Sequence, residues 1–159
     1  MKVVIIGGVA GGATAAARLR RLNESAEIIV FERSGYVSYA NCGLPYYIGG
    51  EIKRRSALTL QTPESFKRRF NIDVRVNSEV IKIDRAAKKV RVRTKDGEYD
   101  ESYDKLIYSP GARPVVPEGG EQEGFFTLRT VEDTFAVDDF IKEHSPKTAI
   151  VAGGGFIGL

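Results

Sequence analysis

Sulfur and imidazole are scarce in this sequence: it holds one cysteine, Cys42, and one histidine, His144. A single cysteine excludes a disulfide framework and a cysteine-built metal site, and it suits a reducing cytoplasm. No metal centre is expected. Long hydrophobic runs are also missing. Nothing approaches the roughly 20 apolar residues that span a bilayer, so no membrane contact is expected. The apolar residues 3–6 after Lys2 are too few for the core of a signal peptide, and they run straight into glycines. Charge of one sign is not in excess either. The 24 Lys and Arg stand against 21 Asp and Glu, a net charge of +3, which is too mild to point to nucleic acid. What remains is 42% hydrophobic and 28% charged over 159 residues, an ordinary globular composition.

Glycine is what stands out. The 17 glycines bunch within residues 7–12, 49–50, 119–120 and 153–158. Residues 2–6 (KVVII) form a short β-branched run, as expected of a buried parallel strand. The glycine cluster follows, and residues 13–22 then read as a helix. Ala15, Ala16, Leu19 and Leu22 share one side of it; Thr14, Arg18 and Arg21 gather on another. Residues 27–32 (EIIVFE) make a second buried strand that ends in a carboxylate. The order is β-α-β, which implies a parallel, right-handed unit.

Residues 33–50 read as a loop that carries Tyr36, Tyr39, Tyr46 and Tyr47 around Cys42. Thr62-Pro63-Glu64 opens a helix that runs to Phe70. Residues 72–76 are a third strand candidate. Residues 79–84, 88–94 and 98–102 suggest an antiparallel ribbon, with Lys95-Asp96-Gly97 at one turn. The basic run Lys88 to Lys95 alternates with Val90 and Val92, so it reads as a solvated strand face. Residues 105–108 return to a strand and break at Ser109-Pro110-Gly111. Residues 112–124, rich in proline and glycine, read as a passage between domains. Thr130 with Asp133 resembles a capping box that opens a helix to about Glu143. His144 follows it as a surface residue that complements the helix dipole. Residues 148–152 read as another apolar strand. The fold expected is α/β, with a parallel sheet and an antiparallel β ribbon.

Three constellations carry chemistry. The first is Gly7, Gly8, Val9, Ala10, Gly11 and Gly12, where a strand turns tightly into a helix. Free backbone N–H groups and the positive end of the helix dipole can receive a pyrophosphate there. Gly7 and Gly12 fit the outer glycines of the G-x-G-x-x-G pattern, and Val9 takes the middle position. Glu32 follows 25 residues after Gly7, where a carboxylate can accept both ribose hydroxyls of an adenine dinucleotide. The second is Gly153, Gly155 and Gly158, which match the full pattern after an apolar run. Two such devices in one chain point to hydride transfer between two dinucleotides. The third is Cys42, within a loop expected at the carboxyl ends of the strands, where open α/β sheets hold their ligands.

These residues resemble a family. GGVAGG, AAARLRRL, Glu32 and SYANCGLPYY, with DKLIYSPGA, FTLR and GGGFIG, are similar to the N-terminal part of flavin-dependent pyridine nucleotide-disulfide oxidoreductases. The likeness is strongest to the single-cysteine branch, which includes coenzyme A-disulfide reductases, NADH oxidases and persulfide reductases. It implies a Rossmann-like FAD-binding domain over residues 1–112 and a connection with a helix over 113–146. The start of a truncated, second Rossmann-like NAD(P)-binding domain would occupy 147–159.

It further implies FAD along residues 7–12, with its ribose on Glu32 and Arg33 nearby. The isoalloxazine would lie beside Asn41 and Cys42, with Ser109, Pro110, Gly111 and Arg129 close to the cofactor. NADH or NADPH would use the site begun at Gly153. Thr14, Arg18, Arg21, Ser38 and Asn41 would receive a coenzyme A-containing disulfide, persulfide or polysulfide. Relatives with a dithiol centre carry a second cysteine five residues on, where this sequence has Tyr47, so Cys42 is expected to work through a mixed disulfide, a persulfide or a sulfenic acid. A homodimeric parent enzyme is expected. The alternatives are an oxidase or peroxidase using a cysteine sulfenic acid, and a non-catalytic FAD-binding fragment.

Overall fold

A computed structural model describes residues 1–120 and 122–154. Seven strands and four α-helices follow in chain order: β1 (Lys2–Ile6), α1 (Ala10–Leu22), β2 (Glu27–Phe31), α2 (Leu44–Ile48), α3 (Pro63–Phe70), β3 (Asp73–Arg75), β4 (Glu79–Asp84), β5 (Lys89–Thr94), β6 (Gly97–Ser102), β7 (Lys105–Tyr108) and α4 (Val131–His144). A parallel sheet runs in the order β3-β2-β1-β7, with Val3 opposite both Ile28 and Lys105. The ribbon is a three-stranded antiparallel sheet, β4-β5-β6. Among the described residues no helix is long and apolar enough to cross a membrane.

The alternation of side chains along β1 and β2 divides the molecule into layers. Val3, Ile5, Ile28 and Val30 face the helices, packing with Ala16, Phe66 and Ile72. Val4, Ile6, Ile29 and Phe31 face the ribbon, packing with Val90 and Val92. Both faces of the parallel sheet are therefore covered. That is why its central strands β1 and β2 read as apolar runs, whereas β5 alternates buried valines with exposed bases.

Three expectations are corrected. Helix α1 begins at Ala10, inside the glycine cluster, rather than at Ala13. Leu22 is 67% exposed, because at 100° per residue it lies about 120° round the axis from buried Ala16. Residues 148–152 form no strand: no described strand pairs with them, and Ile150 is 96% exposed. An extended segment becomes a strand only when a neighbour takes its N–H and C=O groups. The expected capping box of Thr130 with Asp133 forms, and the Thr62 N-cap forms a second one with Ser65.

Arg20 staples two helix ends. Its guanidinium donates to the carbonyls of Asn23, Glu24 and Ala26 after α1, and to those of Phe70 and Asn71 at the end of α3. Arg20→Met keeps the apolar stem but strands these acceptors. It should cost about 2–3 kcal/mol, read from the urea midpoint; an unchanged midpoint refutes the staple.

Glu101 on β6 joins the two sheets through Lys2 on β1 and Arg75 on β3, the latter at 2.7 Å. Burial alone would raise its carboxyl, but hydrogen bonds from Lys2 and Arg75 outweigh burial and hold it below the ordinary 4.5. A carboxyl depressed in the folded state adds stability above its unfolded value and loses it as pH falls through the folded value. Glu101→Gln should therefore shrink the difference in Tm between pH 7 and the acid side of pH 4.5. Equal acid sensitivity in the two proteins would exclude this role.

Candidate functional site

The site is built where β1 gives way to α1. Ile6 ends the strand, and the Gly7 N–H donates to the Phe31 carbonyl at 2.8 Å. Gly7 has φ +95°, and a Cβ there would stand 2.0 Å from the Ser109 carbonyl oxygen. A Cβ on Gly12 would stand 1.8 Å from the Gly7 oxygen. These two positions admit only glycine, because two backbone segments close onto the turn. Val9 takes the N-cap without a side-chain bond, and no acid occupies the first turn of α1. The leading N–H groups are thus left for an anion, favoured by the helix dipole.

Glu32 lies just beyond β2 and is 7% exposed. Its carboxylate accepts the Gly8 N–H at 2.8 Å through one oxygen and the Ser34 N–H at 2.9 Å through the other. The acid expected to meet a ribose is therefore fixed by the glycine turn itself. Along these elements runs a cleft of about 480 Å³. Gly7, Val9, Ala10 and Gly11 line it, together with Glu32 and Arg33. Asn41, Ser109, Pro110, Gly111 and Arg129 line it as well. Arg129 is held there by a bond from Nε to the Ala112 carbonyl at 3.3 Å.

Not every expected residue reaches the cleft. Gly8 and Gly12 are buried behind its wall, where they set backbone spacing. Cys42 is exposed, on a 3-10 turn (Asn41–Gly43) next to Asn41 but outside the lining. The turn and α2 replace the bare loop expected over residues 33–50. Thr14, Arg18 and Arg21 are exposed on one face of α1, outside the cleft. Ser38 is half-buried with φ +49°, and its carbonyl accepts the Leu60 N–H at 2.9 Å. Gly153 lies in the unpaired C-terminal segment with no atom within 4 Å of a Cβ position. Gly155 and Gly158 lie outside the described residues.

Four lining residues escaped the sequence reading: Ser34, Tyr39, Ala112 and Thr130. Thr130 was legible as an N-cap, but nothing in its motif brought it to the glycine turn. Tyr39 is buried in the wall. Desolvation, and then the Glu32 charge, raise its phenol above the ordinary range, so it is a neutral donor at neutral pH.

Known proteins share this arrangement. The family model described as pyridine nucleotide-disulphide oxidoreductase matches residues 1–159. The chain is 44% identical over 160 residues to coenzyme A disulfide reductase of Staphylococcus haemolyticus, covering 99% of this chain and 36% of that protein. It spans about a third of that relative's length. A crystal structure of reduced Bacillus anthracis CoADR-RHD superposes with a TM-score of 0.96 at 52% identity, covering 99% of this chain and 29% of that one. A NAD-dependent persulfide reductase from A. fulgidus gives 0.86 at 38% identity, covering 91% and 28%. The layered α/β arrangement is thus the Rossmann-type fold of these reductases. With residues 1–159 matched by the family model and the glycine turn, Glu32 and the cleft in place, the chain belongs to the pyridine nucleotide-disulphide oxidoreductase family.

Proposed function

We propose that the protein carrying this chain is a flavoprotein disulfide reductase that uses NAD(P)H, FAD and Cys42 to reduce coenzyme A disulfide or a persulfide or polysulfide. One observation carries this reading: a cleft lined by the glycine turn, buried Glu32 and Asn41 is followed directly, at the next residue, by the exposed sulfur of the only cysteine. The cleft fits FAD. The first turn of α1 leaves N–H groups for the pyrophosphate, and a Cβ at Gly7 would collide with Ser109 across the turn. Glu32 keeps lone pairs for ribose hydroxyls after accepting two backbone N–H groups. Gly7 through Gly12, Arg33, Asn41, Ser109, Pro110, Gly111 and Arg129 complete the cofactor site in this reading, and Gly153, Gly155 and Gly158 open the nicotinamide site. Bound there, FAD supplies a relay of two electrons between nicotinamide and sulfur.

The residues of the chain do the rest. The Cys42 thiolate attacks one sulfur of the disulfide; an S–S bond forms to that half and the other half leaves as a thiolate. The mixed disulfide then takes up two electrons and a proton, returning the Cys42 thiolate and a second thiol. Tyr47 stands where a resolving cysteine would be needed, so no internal disulfide competes. The exposed face of Thr14, Arg18 and Arg21 suits the phosphates of coenzyme A, with Ser38 and Asn41 near the sulfur. Residues 113–146 then connect a flavin domain to a nicotinamide domain begun at 147, in a cytoplasmic homodimer.

The exposure of Cys42 also favours a second reading, in which a peroxide or oxygen oxidises the sulfur to a sulfenic acid. Steady-state NADH and NADPH consumption by the full-length protein separates the two. Coenzyme A disulfide or polysulfide should be the best acceptor, and Arg18→Ala with Arg21→Ala should raise its KM. Faster turnover with peroxide or oxygen than with any disulfide overturns the reductase reading.

A further inference from the structure

Cys42 rides on a segment with little burial of its own. From Asn41 to Ile48 only Leu44 is buried, while Cys42, Pro45 and Tyr46 are exposed. A five-residue helix such as α2 does not hold itself in water, so tertiary contacts must decide where α2 and the sulfur before it lie. Leu44 packs with Tyr39, Leu58 and Val131, and the polar contacts come from Arg55 and from Asp138 on α4. Tyr47 Oη donates to Asp138 Oδ2 at 3.1 Å. Arg55 Nε donates to Tyr47 Oη at 3.4 Å, and its Nη2 reaches Asp138 at 3.4 Å and pairs with Asp139. The guanidinium stands 4.3 Å over the Phe135 ring, which Tyr36 and Tyr47 meet edge-on, each with centroids 5.9 Å away.

Asp138 is the hub. Its side chain is 15% exposed, and it also accepts from Lys142 at 2.6 Å. Hydrogen bonds from Lys142, then Tyr47 and Arg55, hold its carboxyl below the usual range. The hub is therefore charged at neutral pH. At its other end α4 reaches the Glu32 loop, where Glu132 Oε1 accepts the Gly35 N–H at 3.0 Å. A single helix thus contacts both the α2 segment and the loop after Glu32, whose Arg33 and Ser34 line the cleft.

We propose that Tyr47, Arg55 and Asp138 are positioning residues for Cys42, locking α2 onto α4 so that the sulfur keeps a set place beside the cleft. None of the three lines the cleft. The kinetic consequence rests on the reductase reading; the placement of the sulfur does not.

The test uses the FAD-loaded, full-length protein. Tyr47→Phe keeps the ring against Phe135 and removes the bond, and Asp138→Asn removes the charge. Each should lower kcat with coenzyme A disulfide roughly 3- to 10-fold, with flavin content and the NAD(P)H KM unchanged. The double variant should fall no further than the worse single one, since both break one linkage. Arg55→Lys should recover part of the activity lost in Arg55→Gln. Alkylation of Cys42 by iodoacetamide, read by intact mass, should quicken as the segment loosens. The distant Arg91→Gln, which breaks the 2.9 Å pair with Asp100 on the ribbon, should change neither rate. Parental kcat and alkylation rates in Tyr47→Phe and Asp138→Asn would overturn the proposal, as would loss of flavin in step with activity. If the parent protein reduces no disulfide, the reductase reading fails, while the alkylation rates still decide whether the clamp places Cys42.

Discussion

Cys42→Ser should lower disulfide-dependent NAD(P)H consumption of the full-length protein by about 10³-fold or more, while leaving FAD bound. The nucleophile in disulfide exchange is a thiolate, and the serine hydroxyl neither ionises near neutral pH nor forms an S–S bond. The fold should tolerate the change. Cys42 is exposed on a 3-10 turn and lies outside the cleft lining, so exchanging Sγ for Oγ creates no cavity. The visible spectrum of the desalted variant should match that of the parent, and NAD(P)H should still bleach it once. Disulfide turnover within tenfold of the parent would remove Cys42 from the reaction and end the single-cysteine assignment.

Gly12→Ala should cost about 3 kcal/mol or more and weaken FAD binding with it. The added Cβ would lie 1.8 Å from the Gly7 carbonyl oxygen and 3.1 Å from Ile5 Cγ2. The first obstacle is backbone, with no rotamer to yield, so α1 must lift away from β1. That shift opens the buried contact around Ala16 and carries the leading N–H groups away from the turn. Gly11→Ala, one residue earlier, is the matched control. Its Cβ meets only Ser109 Oγ at 3.4 Å, and alanine favours the helix. Urea unfolding of both variants should separate them clearly. Equal stability would mean that Gly12 is a matter of sequence preference and not of helix–strand spacing.

Much of the fold was legible because its causes are local. β-branched runs bounded by glycine marked β1 and β2, and the alternation in β5 identified a half-covered strand. Thr62-Pro63 and Thr130 with Asp133 announced two helices, because a cap is satisfied within one turn. The start of α1 was misjudged for a local reason too. Two of its first three residues are glycines, poor helix formers that are kept there for close approach. Helix α2 escaped notice because five residues show no period. The segment 148–152 has the composition of a strand, but pairing is a relation between two segments and cannot be read from one of them.

The sequence by itself determined the β-α-β unit, the glycine turn, the carboxylate after the second strand and the single cysteine, since each is read from residues within a short stretch. The tertiary structure alone decided how these parts serve one another. Glu32 is held by Gly8, 24 residues away; Arg20 staples Phe70, 50 away; Tyr47 meets Asp138, 91 away. No sequence pattern pairs these residues with one another, because a hydrogen bond across the fold requires only one donor and one acceptor at the right distance. The place of Cys42 is therefore a property of how α4 packs, and not of the motif that announces the cysteine.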